Sequence, residues 1–221
     1  MSVLSLPTPA TPAAATAFAP GSRKLALLRP VDRPTLAHHV AILPLPARTL
    51  ALVTGNAPGE LPADAVLVRW VATRLGALST RLVAGVNAAA TFRREAVGLV
   101  ALGPAPAPAG EEMLVGLAAA ARRLAAGRLL PEPAVAAFQA SLAGLVPSGS
   151  SPSTAKVLDD AARGGFPVPI AALAELLGDP EAEDGALKEA AFRLTAGGAR
   201  PGADALAGIV AVAREVALGS S

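Results

Sequence analysis

Three acidic residues lie where two similar segments are each predicted to begin a helix, and carboxylates in that position can transfer protons or bind cations. Glu111 and Glu112 follow one Pro/Gly-rich stretch, and Asp204 follows another. A carboxylate in the first turn of a helix interacts favourably with the helix dipole, so these acids can simply stabilise helix N-termini. The alternative is a site in which Glu112, Asp204 and Glu111 are catalytic, polarising a substrate or holding a cation. The sequence leaves both interpretations open.

The two segments form an internal repeat with the pattern Gly-x-acid-x-Leu-x-Gly-aliphatic. The matching pairs are Gly110 with Gly202, Glu112 with Asp204, and Gly116 with Gly208. A glycine in the middle of a helix costs about 1 kcal/mol relative to alanine. That cost is understandable where another backbone must approach closely. The repeat therefore predicts that the two helices cross at Gly116 and Gly208, which brings both carboxylates to one end of a helical layer.

A second set of candidate residues would bind a small anion beside these acids. Backbone amides at helix N-termini bind anions, and a hydroxyl and an ammonium group at the start of another predicted helix would add to them. The candidate substrate-binding residues are Gly103, Ala109, Gly110, Thr154, Lys156 and Gly202. For Lys156 the alternative is an ordinary lysine in solvent. The sequence indicates no metal ligands, because the only histidines, His38 and His39, are adjacent and would point to opposite faces of a strand. It leaves the cofactor unknown.

Composition narrows the class of protein. The chain of 221 residues has no cysteine, which excludes disulfides and thiolate metal sites. It has 19 basic and 17 acidic residues and only 3% aromatic residues, which is unlike a nucleic-acid-binding protein. Its apolar runs are too short to cross a membrane, and its N-terminal stretch lacks the basic start of a secretory signal. We therefore expect a cytoplasmic protein that binds neither nucleic acid nor membranes.

The distribution of apolar residues predicts an α+β fold, with a strand-rich N-terminal half packed on a helical C-terminal half. Residues 1–34 are expected to form a disordered Ala/Pro-rich tail and lead-in, 35–102 a strand-rich part, and 103–221 a helical part that carries the repeated motif. Short Val/Ile/Leu runs between prolines and glycines predict strands at 40–43, 49–53, 66–70 and 97–102. Residues 72–92 are ambiguous, because the spacing of Val71, Leu75, Leu78 and Leu82 allows a helix. After Gly110 the apolar period changes to about 3.6 residues and predicts successive helices.

The segment around the first repeat resembles the signature of a known family. Residues 103–116, Gly-Pro-Ala-Pro-Ala-Pro-Ala-Gly-Glu-Glu-Met-Leu-Val-Gly, are similar to the Gly-Pro-Gly-Leu-Thr-Pro-Ser/Ala-Gly-Asp-Asp-x-Leu-x-Gly segment of the AllH-like family. Residues 153–164 and 197–208 resemble two further segments of that family, which was long described only as a domain of unknown function. The likeness spans about residues 35–216. The family includes a subunit of oxamate carbamoyltransferase.

The resemblance implies a transferase subunit of purine catabolism through allantoin, in a hetero-oligomeric enzyme. In that reaction phosphate splits oxalurate into oxamate and carbamoyl phosphate. The resemblance also implies that Glu112 and Asp204 act on the substrate while nearby amides, Thr154 and Lys156 receive its anionic end. Ala105, Pro106 and Ala107 replace the family's glycine, leucine and threonine, and glutamates replace both aspartates. The alternative is a non-catalytic scaffold or partner protein with the family fold and a degenerate site.

Overall fold

The computed structural model describes residues 52, 62–100, 102, 109–145, 152–177, 179, 182–196 and 200–219. Within these ranges the chain forms eight α-helices. They are α1 Pro62–Val83, α2 Ala89–Leu99, α3 Ala109–Ala126, α4 Glu132–Leu142, α5 Pro152–Ala162, α6 Val168–Leu177, α7 Asp184–Thr195 and α8 Arg200–Gly219. None of these described helices combines the length and the apolar character that a membrane crossing requires.

Helices α3 and α8 form the centre of the described fold. All residues of 113–121 in α3 and of 203–213 in α8 are buried, and most of them are alanine, leucine, valine or isoleucine. The two helices pack closely on each other. Helices α1, α6 and α7 also contact α8, while α2, α4, α5 and α6 contact α3. A helix that is apolar around most of its circumference must be enclosed by other helices. This explains why α3 and α8, which are rich in alanine and other apolar residues, lie in the core.

The predicted α+β class is wrong, because the described residues contain helices and no strand. Residues 66–70 lie inside α1, and residues 97–99 lie at the end of α2. The predicted strands at 40–43 and 49–53 fall outside the described residues, apart from Leu52, which packs against the core. The predicted tail over 1–34 and the histidine pair also fall outside them.

Burial in α1 shows why the first of these strand predictions failed. Its buried apolar residues are Val68, Val71, Leu75, Leu78 and Leu82, which recur at helical spacing. The run 66–70 reads as a strand because it is rich in valine, yet Val66 is 72% exposed. Strand propensity is overridden when the burial pattern favours a helix, and here the apolar stripe from Val68 to Leu82 outweighs a local Val-rich run.

The same reasoning applies to α2. Phe92, Ala96 and Leu99 are fully buried, and they lie four and three residues apart on one helical face. Val97 is 55% exposed on another face. The apolar composition of 97–102 alone predicts a strand, whereas the upstream residues Phe92 and Ala96 set the helical register that the structure shows.

The helices predicted after Gly110 are confirmed. The apolar periods that indicated them correspond to α3 through α8. Gly164 follows α5 with φ of 81°, a left-handed conformation that favours glycine and ends the helix. At the end of α4, Arg93 from α2 donates a hydrogen bond of 2.8 Å to the carbonyl of Ala143. This contact satisfies a helix-end carbonyl and ties α2 to α4.

Candidate functional site

The two repeated glycines lie at the contact between α3 and α8. A Cβ atom added to Gly116 would overlap the carbonyl oxygen of Ala205, and one added to Gly208 would overlap the carbonyl oxygen of Met113. The two backbones are therefore in direct contact, with no room for a side chain between them. This confirms the predicted crossing of the two helices at Gly116 and Gly208.

The crossing brings together the carboxylates of the two motif copies. Asp204 is 1% exposed and Glu111 is 2% exposed, which is unusual for acidic residues. Glu112 is partly buried, and the negative charges of both Asp204 and Glu111 act on it. Three carboxyl groups from two helices thus share one region of low hydration.

This environment changes the acidity of Glu112. Loss of water around its carboxyl group, reinforced by the charges of Asp204 and Glu111, raises the pKa of Glu112 from the ordinary value of 4.5 to about 7. Near neutral pH the residue therefore exists in both its protonated and its ionised form. A group with its pKa close to the working pH is suited to transfer protons in either direction.

Each motif also begins with a glycine that fits against the helix preceding it. A Cβ on Gly110 would overlap the carbonyl oxygen of Leu99 in α2, and a Cβ on Gly202 would overlap that of Leu194 in α7. The Gly110 N–H donates a hydrogen bond of 3.4 Å to the carbonyl of Leu102. The Gly110 amide, which the sequence suggested for anion binding, thus already has an acceptor in the chain.

The other predicted substrate-binding residues are distributed over several elements. Ala109 is the first residue of α3, and Gly103 falls outside the described residues. Thr154 lies in the first turn of α5. Lys156 is in the same helix, and its ammonium group is 2.5 Å from the carboxylate of Asp160. Its side chain is 73% exposed, so the structure places Lys156 in an intrahelical ion pair at the surface.

The chemistry that this arrangement supports is proton transfer and hydrogen-bond acceptance. The described residues include no group of three or more His, Cys, Asp or Glu side chains arranged to hold a metal ion. Ionised carboxylates accept hydrogen bonds, so the site suits a ligand that presents N–H or O–H donors. A protonated Glu112 can also donate one.

The sequence did not single out the residues that receive the two glycines. Met113 and Ala205 contribute the backbone carbonyls at the crossing. Each lies three positions before the glycine of its own motif, within the repeated pattern. The repeat contains both positions, but their side chains differ between the two copies, and the contact is made by their backbones.

Comparison with protein families, curated proteins and solved structures finds no match to this chain. Its function therefore has to follow from the carboxylates, from their surroundings and from the motif that carries them.

Proposed function

We propose that this protein is a subunit of an oxamate carbamoyltransferase-like enzyme of purine catabolism, and that it binds a small carboxylate or carbamoyl phosphate. The observation that supports this most is the joining of the two motif copies at the α3–α8 crossing, which places Asp204 where its charge acts on Glu112. Ordinary helix-capping acids have no need to be paired and buried in this way. Two carboxylates held together in a poorly hydrated region are typical of a functional site.

The proposed reaction requires two proton transfers. When phosphate attacks the carbamoyl carbon of oxalurate, a new C–O bond forms and the C–N bond to the oxamate nitrogen breaks. The leaving nitrogen must gain a proton, and the attacking phosphate must lose one. Glu112, with its pKa of about 7, can donate the first proton and then recover the second from the phosphate.

The charge of the site also orients such a ligand. The ureido N–H groups of oxalurate are hydrogen-bond donors that carboxylates accept. The carboxylate of oxalurate would be repelled by Asp204 and Glu111, so it faces away from them. The other subunits expected in a carbamoyltransferase complex would supply the remaining contacts to the anionic end.

A second candidate function is a non-catalytic scaffold or partner protein with a degenerate site. Two observations favour it. The Gly110 amide donates to Leu102, and Lys156 pairs with Asp160, so two of the expected anion contacts are taken by the chain itself. Under this alternative the acids have only structural roles, and no small anion binds near them.

Ligand-dependent melting separates the two functions. We expect oxalurate or carbamoyl phosphate, tested with and without Mg²⁺ beside oxamate and phosphate, to raise the melting temperature by a few degrees. A ligand at about 100 times its dissociation constant adds roughly 2.7 kcal/mol to the free energy of unfolding. The double variant Glu112→Gln/Asp204→Asn should lose this ligand-induced rise, because it removes both carboxylates while keeping their shapes.

The matched control is Glu189→Gln, which removes an exposed carboxylate on α7 and should keep the full rise. An equal ligand-induced rise in the double variant would exclude Glu112 and Asp204 from the binding site. If none of the four ligands changes the melting temperature of the wild-type chain, the scaffold function is favoured.

A further inference from the structure

The contact between α3 and α8 is reciprocal. Gly116 lies against the carbonyl of Ala205, which is three positions before Gly208. Gly208 lies against the carbonyl of Met113, which is three positions before Gly116. Matched residues that exchange the same contact are what an approximate two-fold axis between the two helices would produce. The glycines are therefore equivalent parts of one contact.

The surroundings of the two helices repeat as well. Gly110 at the start of α3 touches the end of α2, and Gly202 at the start of α8 touches α7 near its end. Helix α1 packs on α2 and on α8, and correspondingly α6 packs on α7 and on α3. The internal repeat thus extends beyond the motif to two similarly arranged groups of helices that meet at the crossing.

On the basis of the proposed function, we propose that Gly116 and Gly208 are positioning residues, whose backbone contact sets the separation of the Glu112 and Asp204 carboxyl groups and thereby the affinity of the site for its ligand. In each motif the acid precedes the glycine by four residues, which is about one helical turn. Residues four apart lie on the same helical face. The acid therefore lies on the side of the helix that faces its partner, one turn from the point of contact.

The helices cannot accept a methyl group at the crossing without moving. The atoms that an added Cβ would meet are backbone atoms of the opposite helix, which cannot rotate away as a side chain can. At Gly98, by contrast, the atoms met are the guanidinium of Arg74, a flexible group. An alanine at Gly116 or Gly208 must therefore push α3 and α8 apart and carry the two carboxylates with them.

Separating the carboxylates changes a measurable property of Glu112. Burial is the largest cause of the raised pKa of Glu112, and the charges of Asp204 and Glu111 raise it further. When α8 moves away, water gains access and the repulsion from Asp204 weakens, so two of the three causes of the raised pKa of Glu112 diminish. A change that only loosened packing elsewhere would leave that pKa in place.

The experiment compares Gly116→Ala and Gly208→Ala with the control Gly76→Ala. Gly76 is in α1, and nothing lies within 4 Å of an added Cβ there. The titration of Glu112 is followed by carboxyl ¹³C NMR, with its signal identified by its loss in Glu112→Gln, and the affinity for oxalurate is measured on the same samples. We expect each crossing variant to lower the pKa of Glu112 by about one unit or more and to weaken oxalurate binding roughly tenfold. The two variants should behave alike, and Gly76→Ala should change neither quantity.

Folded crossing variants that keep both the pKa of Glu112 and the oxalurate affinity would overturn the proposal. If the crossing variants do not fold, Asp204→Asn decides instead, because it removes the charge without touching the glycines. The pKa of Glu112 must then fall, and an unchanged value would also overturn the proposal. If the crossing variants lower this pKa but the wild-type chain binds no oxalurate, the glycines still position the acids, and it is the proposed function that fails.

Discussion

Replacing Glu112 with glutamine is expected to stabilise the protein at about pH 8, by up to about 3 kcal/mol, and to leave its stability nearly unchanged at about pH 4. The glutamine keeps the shape of the side chain but cannot ionise. The free energies of unfolding of the variant and the wild-type chain, measured in urea across this pH range, give the difference directly. A gain in stability on removing an acid would mark Glu112 as a residue retained for function at a cost in stability.

The sign follows from the direction of the pKa shift. The pKa of Glu112 is raised to about 7 in the folded protein, whereas its ordinary value is 4.5. Below 4.5 the carboxyl group is protonated in both folded and unfolded chains and causes no difference between them. Between 4.5 and 7 the unfolded chain releases its proton first, so the free energy of unfolding falls as pH rises. Above about 7 the full cost of a buried charge is present, and Glu112→Gln removes it.

Asp160→Asn is the control because its pH dependence has the opposite sign. Hydrogen bonds from Lys156 and Arg163 hold the pKa of Asp160 below its ordinary value of 3.8. Its ionised form thus contributes stability above 3.8 that is lost as pH falls, so Asp160→Asn should be slightly less stable than wild type near neutral pH. A Glu112→Gln variant whose stability difference from wild type is constant across pH, or is negative at about pH 8, would contradict the raised pKa of Glu112.

Replacing Phe138 with alanine is expected to destabilise the protein by about 3–5 kcal/mol. Phe138 of α4 and Phe92 of α2 are both fully buried, and their ring centroids are 5.5 Å apart at an interplanar angle of 61°. Edge-to-face aromatic pairs add to the free energy of burial alone. The variant loses this pair and leaves a cavity where α2 meets α4. Urea unfolding at neutral pH measures the loss.

Phe192→Ala provides the comparison, since Phe192 of α7 is 48% exposed. Its free energy of unfolding should stay within about 0.5 kcal/mol of wild type, as for most exposed substitutions. If Phe138→Ala and Phe192→Ala had similar effects, α4 would not pack on α2 through this aromatic pair. The same result would question the position of α2, whose last residue, Leu99, receives Gly110.

The repeated motif shows how far the site could be predicted from sequence. Glycines in the middle of two apolar helices reduce helix stability, and close packing of the two backbones explains why they are there. The contact between Gly116 and Gly208 could therefore be predicted from the sequence. Because each acid is one turn from its glycine, the proximity of Glu112 and Asp204 followed. The burial of Glu111 and Asp204 did not follow, because acids at helix starts are usually exposed, and their surroundings depend on which helices pack over them.

The strand predictions show where local pattern fails. Residues 66–70 are mostly apolar and include two valines, and a window of five residues cannot distinguish a strand from one turn of a buried helix. The distinction depends on Val71, Leu75, Leu78 and Leu82, which continue the stripe along α1. Only contact with the rest of the core shows that this stripe, and not the local Val-rich run, is what the protein buries.

The sequence by itself determined the helices from α3 to α8 and the crossing at Gly116 and Gly208, because helical period and the cost of a mid-helix glycine are local properties of the chain. The tertiary structure decided the all-helical class of the described residues, the burial of Glu111 and Asp204, and the raised pKa of Glu112. These last features depend on burial and on charges brought in from other parts of the chain. Such long-range effects exist only once the helices have packed.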